Sequence, residues 1–105
     1  EYAELSNQFV VPVIHDEKLV AMVVMSLSIE VPLGSLDAVF GVEPKLRDGF
    51  LQVMFNHANV GGFSGNFTTN SNMGILREDL LRSAQTIIGN TARDILVLDI
   101  VRQEV

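Results

Sequence analysis

The 105-residue chain has no cysteine and no tryptophan, only three prolines and one tyrosine, and seven basic residues against thirteen acidic ones. Without cysteine there can be no disulfide and no thiolate metal site, so any fold must rest on its own core. That suits a reducing cytoplasm and equally a periplasmic domain that is stable without cross-links. A formal charge of −6 offers no attraction to nucleic acid or to an anionic membrane surface. Long hydrophobic runs are also missing. The longest, Leu19–Val31 (LVAMVVMSLSIEV), falls well short of the ~20 residues a membrane-crossing helix needs, and its serines and β-branched residues favour a strand. What the chain does have is apolar content of 48% and a mean hydropathy of +0.31, enough to give one domain, residues 1–105, a working core.

Leu19–Val31 is the organising stretch. Its odd positions, from Leu19 and Ala21 through Ile29 to Val31, are all apolar, and period-two alternation predicts one buried face along the whole strand. The even positions change from Val20, Met22 and Val24 to Ser26, Ser28 and Glu30, as expected for an opposite face of which only half is covered. Before it, Glu1–Gln8 reads as a polar lead-in or first turn. Phe9–Ile14 reads as a strand whose Pro12 places it at a sheet edge or requires a bulge. The polar His15–Lys18 turn joins the two strands as a hairpin, and Pro32 and Gly34 end the second one.

The rest of the chain reads mainly as helix. Ser35–Gly41 is a short helical segment with Ser35 as N-cap. A longer helix starts at Pro44, with Glu43 favourable to its dipole. At 100° per residue Leu46, Phe50, Val53, Met54 and His57 form its core stripe, while Leu51 and Phe55 fall toward the other side. Asn59–Asn72 is a Gly/Asn-rich loop carrying Phe63 and Phe67. Met73–Ile88 is the second long helix, with Met73, Leu76, Leu80, Ala84 and Ile87 as its apolar stripe, closed by Gly89. Ile95–Val101 is a third strand, with Leu96, Leu98 and Ile100 on one face and Ile95, Val97 and Val101 on the other, interrupted by Asp99. Apolar on both sides, it reads as central or covered on both faces. The order is β-β-α-α-β. The expected fold is α+β, a small mixed or antiparallel three-stranded sheet with two main helices on one face.

Chemical motifs are scarce. His15 stands in a solvated turn beside Asp16 and Glu17, and His57 reads as a semi-buried, hydrogen-bonded histidine in the last turn of its helix. Neither has a second ligand at metal-binding spacing. Gly62–Asn66 resembles a nucleophile elbow but ends in Asn66 instead of glycine. Gly61, Gly62 and Gly65 lack the Lys-Ser/Thr of a phosphate loop. The carboxylates Glu43, Asp48, Glu78, Asp79 and Asp94 are scattered as on solvated helix faces and turns. Asp99, alone among apolar strand neighbours, is read as facing a helix N-terminus, a basic partner such as Arg102, or a partly covered sheet face. The expectation is therefore no catalytic, cofactor-binding or metal-ligating residue.

Three stretches carry a family resemblance. Pro44-Lys45-Leu46-Arg47-Asp48-Gly49-Phe50-Leu51 resembles the P-x-L-R-D-x-hydrophobic-L helix start of the flagellar basal-body-associated FliL family. Leu76-Arg77-Glu78-Asp79-Leu80-Leu81 is similar to that family's second helix. Asp94–Gln103 is similar to its closing strand, which ends hydrophobic–hydrophobic–x–Gln. The Leu19–Val31 strand matches in position, so the likeness covers nearly the whole chain. Two features depart from it: the closing strand is aliphatic over Leu96–Ile100 where the family has aromatics and threonine, and the inter-helix loop is longer and richer in glycine.

The resemblance implies the periplasmic domain of a bacterial inner-membrane protein at the flagellar basal body, anchored by a transmembrane helix before Glu1. Glu1 stands where an initiator methionine would, which fits a processed product or a piece of a longer chain. It also implies a scaffold similar to the stomatin/prohibitin-type domain, homo-oligomeric rings, flagellar stator proteins as partners, and no enzyme activity or cofactor. The side chains expected to make the self-association or partner interface are Val20, Met22, Val24, Leu51 and Phe55, with Phe63 and Phe67 of the loop. The alternative is a small periplasmic peptide- or ligand-binding module in which the 59–72 loop closes a pocket with Phe63 and Phe67.

Overall fold

In the computed structural model, which describes residues 1–105, four strands and three helices follow one another as β1 (Tyr2–Glu4), β2 (Phe9–His15), β3 (Lys18–Glu30), α1 (Leu36–Phe40), α2 (Glu43–Asn59), α3 (Asn70–Ile88) and β4 (Asp94–Glu104). The architecture is α+β, with a small antiparallel sheet of four strands and two main helices. β3 is its axis. β1 and β2 lie end to end along one edge, Tyr2 opposite Glu30 and Phe9 opposite Met25. β4 runs antiparallel along the other edge, from Asp94 opposite Glu30 to Glu104 opposite Ala21.

The strand count exceeds the three expected because Glu1–Gln8 is not a loose lead-in. Ala3 and Leu5 alternate inward and are buried, and the Leu5 N–H donates to the Leu27 carbonyl at 3.0 Å. Two residues of period-two pattern are too few to read as a strand, yet enough to pair when a template edge is already present. Arg47 holds the β1–β2 connection from the helix layer. Its guanidinium donates to the carbonyls of Asn7 (2.8 Å) and Gln8 (3.2 Å) and lies 4.0 Å from the centroid of the Phe9 ring. The Phe9 ring in turn meets Phe50 edge-on at 6.0 Å.

Two β-bulges decide which side chains face which way. In the β2–β3 ladder the pairing slips from Val13↔Ala21 to Ile14↔Leu19, leaving Val20 as the extra residue. In the β3–β4 ladder it slips from Ser26↔Asp99 to Leu27↔Val97, leaving Leu98. A bulge shifts the inward–outward alternation by one residue. Ala21, Val23, Met25, Leu27 and Ile29 are therefore fully buried as expected, whereas Leu19, beyond the bulge, is exposed and Val20 packs on the core side. On β4, Ile95, Val97 and Ile100 pack toward the core, and Leu98 is exposed. This corrects the expected grouping of Leu96, Leu98 and Ile100. β4 is also an edge strand, not a central one, and it runs on through Glu104.

The helices cover one side of the sheet, α2 over β2 and α3 over β4. Leu46, Phe50, Met54 and His57 of α2 and Met73, Leu76, Leu80 and Ala84 of α3 are buried against the inner face, with Val53 half-buried. Thr69 caps α3, its hydroxyl accepting from the Asn72 N–H, so the helix begins three residues earlier than its apolar stripe suggested. Ser35 occupies the N-cap of α1 but makes no side-chain cap bond. Gly89 closes α3 at φ +63°, a conformation only glycine adopts without strain. No helix is long and apolar enough to cross a membrane.

The β2–β3 turn holds Asp16 and Glu17 at φ 51° and 64°. Consecutive left-handed residues make the two-residue hairpin turn that favours Asn-Gly, and Glu is a poor fit there. The double replacement Asp16→Asn with Glu17→Gly should stabilise the protein by ~1 kcal/mol, a melting-temperature rise of ~4 °C or more by scanning calorimetry.

Candidate functional site

The side of the sheet away from the helices carries no covering layer. Its rows follow from the strand register. Val10, Val24 and Val101 stand abreast, next to a row of Pro12, Met22 and Gln103. None of Val10, Met22, Val24 or Val101 packs on the core, and Val10 and Val101 are exposed by 48% and 43%. Farther along, the same face turns polar: Ser26 lies beside Asp99, Ser28 between Glu4 and Leu96, and Glu30 between Tyr2 and Asp94. The polar half of β3's second face is thus carboxylate-rich once its neighbours are placed. Of the three settings expected for Asp99, the structure has the partly covered sheet face: Asp99 is exposed here, while Arg102 lies on the helix side and makes no contact with it.

The interfacial candidates divide. Met22 and Val24 are together on the open face. Val20 is not with them, because the bulge turns it to the helix side. Leu51 is half-buried against the core and Phe55 is 36% exposed on α2. Phe63 is buried (1% exposed) and offers nothing to a partner, and Phe67 packs beside it at 6.3 Å with its ring nearly perpendicular.

Phe63 is drawn inward because three polar anchors tie down the loop around it. The Arg102 guanidinium donates to the Phe63 carbonyl at 2.6 Å and pairs with Glu104 at 2.7 Å. The Asn72 side-chain amide donates to the carbonyls of Gly62 (2.7 Å) and Phe67 (2.6 Å). Composition marked the stretch as a loop. Its order depends on Asn72 and Arg102, whose partners are backbone carbonyls that no sequence pattern shows, although Thr69 four residues before Met73 is a readable cap signal.

His57 sits against this loop, its ring edge-on to Phe63 at 4.8 Å. Its Nε2 is buried and meets no partner in full hydrogen-bond geometry, with the Gly62 backbone as its polar neighbour. Gly62 lies so close that a Cβ there would overlap the imidazole. Burial pushes the His57 pKa below its ordinary value, while the charge of Asp79 and the polar backbone at Gly62 act the other way. Asp79 is itself paired with Arg82. His15 is exposed beside Asp16 at 3.5 Å.

A cleft of ≈820 Å³ opens between the hairpin end and the 59–72 loop. Val13, Val20 and Phe67 give it an apolar floor, and Asn59, Ser64 and Arg102 line its polar side. Phe67 therefore reaches a cavity and Phe63 does not. The Gly62–Asn66 stretch lies in turns between α2 and α3, not at a strand-to-helix elbow. No known family model matches this chain, and no curated protein matches it in sequence.

The depressed His57 pKa sets a sign for pH dependence. In the unfolded chain this histidine takes up its proton as pH falls through about 6.5, while the folded chain resists, so stability present above that pH is lost below it. The melting temperature should fall between pH 7.5 and 5.5, and His57→Gln should flatten that slope. An unchanged slope in the variant would remove His57 as its cause.

Proposed function

We propose that this chain is a non-enzymatic, FliL-like accessory domain of the bacterial flagellar motor, working by contact in the periplasm beneath an N-terminal membrane anchor. In this reading copies assemble around the stator units in a stomatin/prohibitin-type scaffold and favour the engaged stator, supporting torque and motility. The observation that carries the reading is the open sheet face at Val10, Met22, Val24 and Val101, a continuous apolar surface left to water.

Edge-to-edge sheet extension is the less favourable route to assembly. β2 carries Pro12 at its edge, and β4 carries a bulge at Leu98 followed by the charged Asp99. Proline, bulges and charges are the devices by which edge strands resist pairing. Contact through faces is left: the Phe55 side of α2 and the open sheet face are two distinct patches, so copies can meet at the first while the second takes a partner.

Val24→Lys and Phe55→Lys replace side chains outside the closed core, so each variant should fold with a cooperative melt. In a strain lacking the native protein, each should restore less swimming speed than the unaltered chain and recover less stator protein on co-purification. Full motility and full recovery with both variants would sink the reading.

The second reading, a small peptide- or ligand-binding module, has the ≈820 Å³ cleft behind it. Filling it with Ser64→Trp separates the two. A binding module loses its function with this variant, whereas a scaffold that works through the opposite face keeps it.

A further inference from the structure

The open sheet face is two surfaces in series, and its shape, charge and one buried hydroxyl together specify an occupant. From the row of Met22 to the row of Glu30 is eight residues of β3, about 27 Å at ~3.4 Å per residue. Across it, three strands at ~4.8 Å spacing place the outer two ~10 Å apart, close to the ~10–12 Å diameter of a single α-helix. A helix covering that length has ~18 residues at 1.5 Å each.

One half of this bed is apolar, from Val10, Pro12, Met22, Val24 and Val101. The other half presents Glu4, Glu30, Asp94 and Asp99 around Tyr2 and Leu96, and no ion pair joins any of the four carboxylates. Arg93 approaches this end through its backbone N–H, which donates to the Glu30 carbonyl, but its side chain pairs with none of the four. Within the acidic half, Ser28 is 2% exposed and its hydroxyl has no hydrogen-bond partner, whereas the neighbouring Ser26 is met by Gln8 at 3.4 Å. Buried hydroxyls normally have partners, so this one marks a place where a donor belongs.

We propose that this face is the docking bed for one amphipathic helix of another protein, about 18 residues long, apolar along one half of its contact stripe and lysine- or arginine-bearing along the other. Its apolar half lies on the Val24 row, and its cations meet the four carboxylates. The inference builds on the contact-scaffold reading above by naming the partner's chemistry. A second copy fits less well, because two like faces stacked in parallel would set carboxylates against carboxylates. An anionic bilayer is disfavoured by the same charges.

The test is a titration of the isotope-labelled protein with synthetic helices, followed by amide NMR shifts. One helix carries leucines on one half of its stripe and lysines on the other; its counterpart carries glutamates in place of the lysines. The lysine helix should shift amides on the Val10, Val24 and Val101 row and around Glu4, Ser28 and Asp99, and the glutamate helix should not. The triple variant Glu4→Gln, Glu30→Gln, Asp99→Asn should weaken lysine-helix binding by about tenfold. The control Asp16→Asn, Asp37→Asn, Glu78→Gln removes the same charge elsewhere and should leave binding unchanged.

Equal loss in both triple variants would mean general attraction to an acidic protein and would overturn the proposal. So would shifts that map elsewhere, or concentration-dependent shifts of the same face in peptide-free protein, which would assign the bed to a second copy. The motility experiment reads separately. A mapped helix with unaffected motility removes the motor reading alone, and lost motility without a mapped helix removes this inference alone.

Discussion

The structure depends on the burial of one face of β3. Ala21, Val23, Met25, Leu27 and Ile29 are closed off from water completely, so a slip of a single residue in either ladder would expose all five and bury Ser26, Ser28 and Glu30 in their place. That constraint sets the register of β1 and β2 on one side and β4 on the other, and places both long helices on the same layer. A bulge in each ladder, at Val20 and at Leu98, relieves the mismatch between flanking sequence and fixed register. The two departures act in opposite senses: Val20 moves inward, toward the cleft, and Leu98 is left exposed.

The long-range polar anchors made by Arg47, Asn72 and Arg102 are all directed at backbone carbonyls. Arg47 ties the β1–β2 connection to α2, Asn72 gathers the turns before α3, and Arg102 joins the end of β4 to the Phe63 carbonyl. Each bridges elements that hydrophobic burial alone would leave loosely related. Together they make a loop with three glycines at 61, 62 and 65 into a fixed wall of the cleft and press Phe63 onto His57. The neutral histidine is the form that this packing accommodates, which couples the loop to pH through desolvation.

The division of the sheet into a sealed face and an open one carries the functional argument. Two helices suffice to cover one side of a sheet this narrow. The other side keeps its apolar row, its carboxylates and an unpartnered Ser28 hydroxyl in the free chain. The sheet's edges are guarded and its face is not, so a contact through this sheet is favoured at the face, and the charge pattern there favours a basic surface over a like one.

Short-range pattern was enough for much of this. The alternation from Ala21 to Ile29, the stripe of Leu46, Phe50 and Met54, the stripe of Met73, Leu76, Leu80 and Ala84, and Gly89 as a helix stop all follow from side-chain spacing. The half-apolar second face of β3 was equally visible in Met22 and Val24. Bulges, by contrast, are set by the partner strand, so neither the inward turn of Val20 nor the outward exposure of Leu98 could be read from alternation. β1 needed β3's edge before Ala3 and Leu5 had anything to pair with. Phe63 and Phe67 looked equivalent in the loop and were separated only by Arg102, Asn72 and His57, which lie far apart along the chain. The sequence by itself determined the buried stripes of β3, α2 and α3, where side-chain spacing alone selects a face. The tertiary structure decided which carboxylates stand beside the apolar row, because only pairing across strands brings Glu4, Glu30, Asp94 and Asp99 to one face.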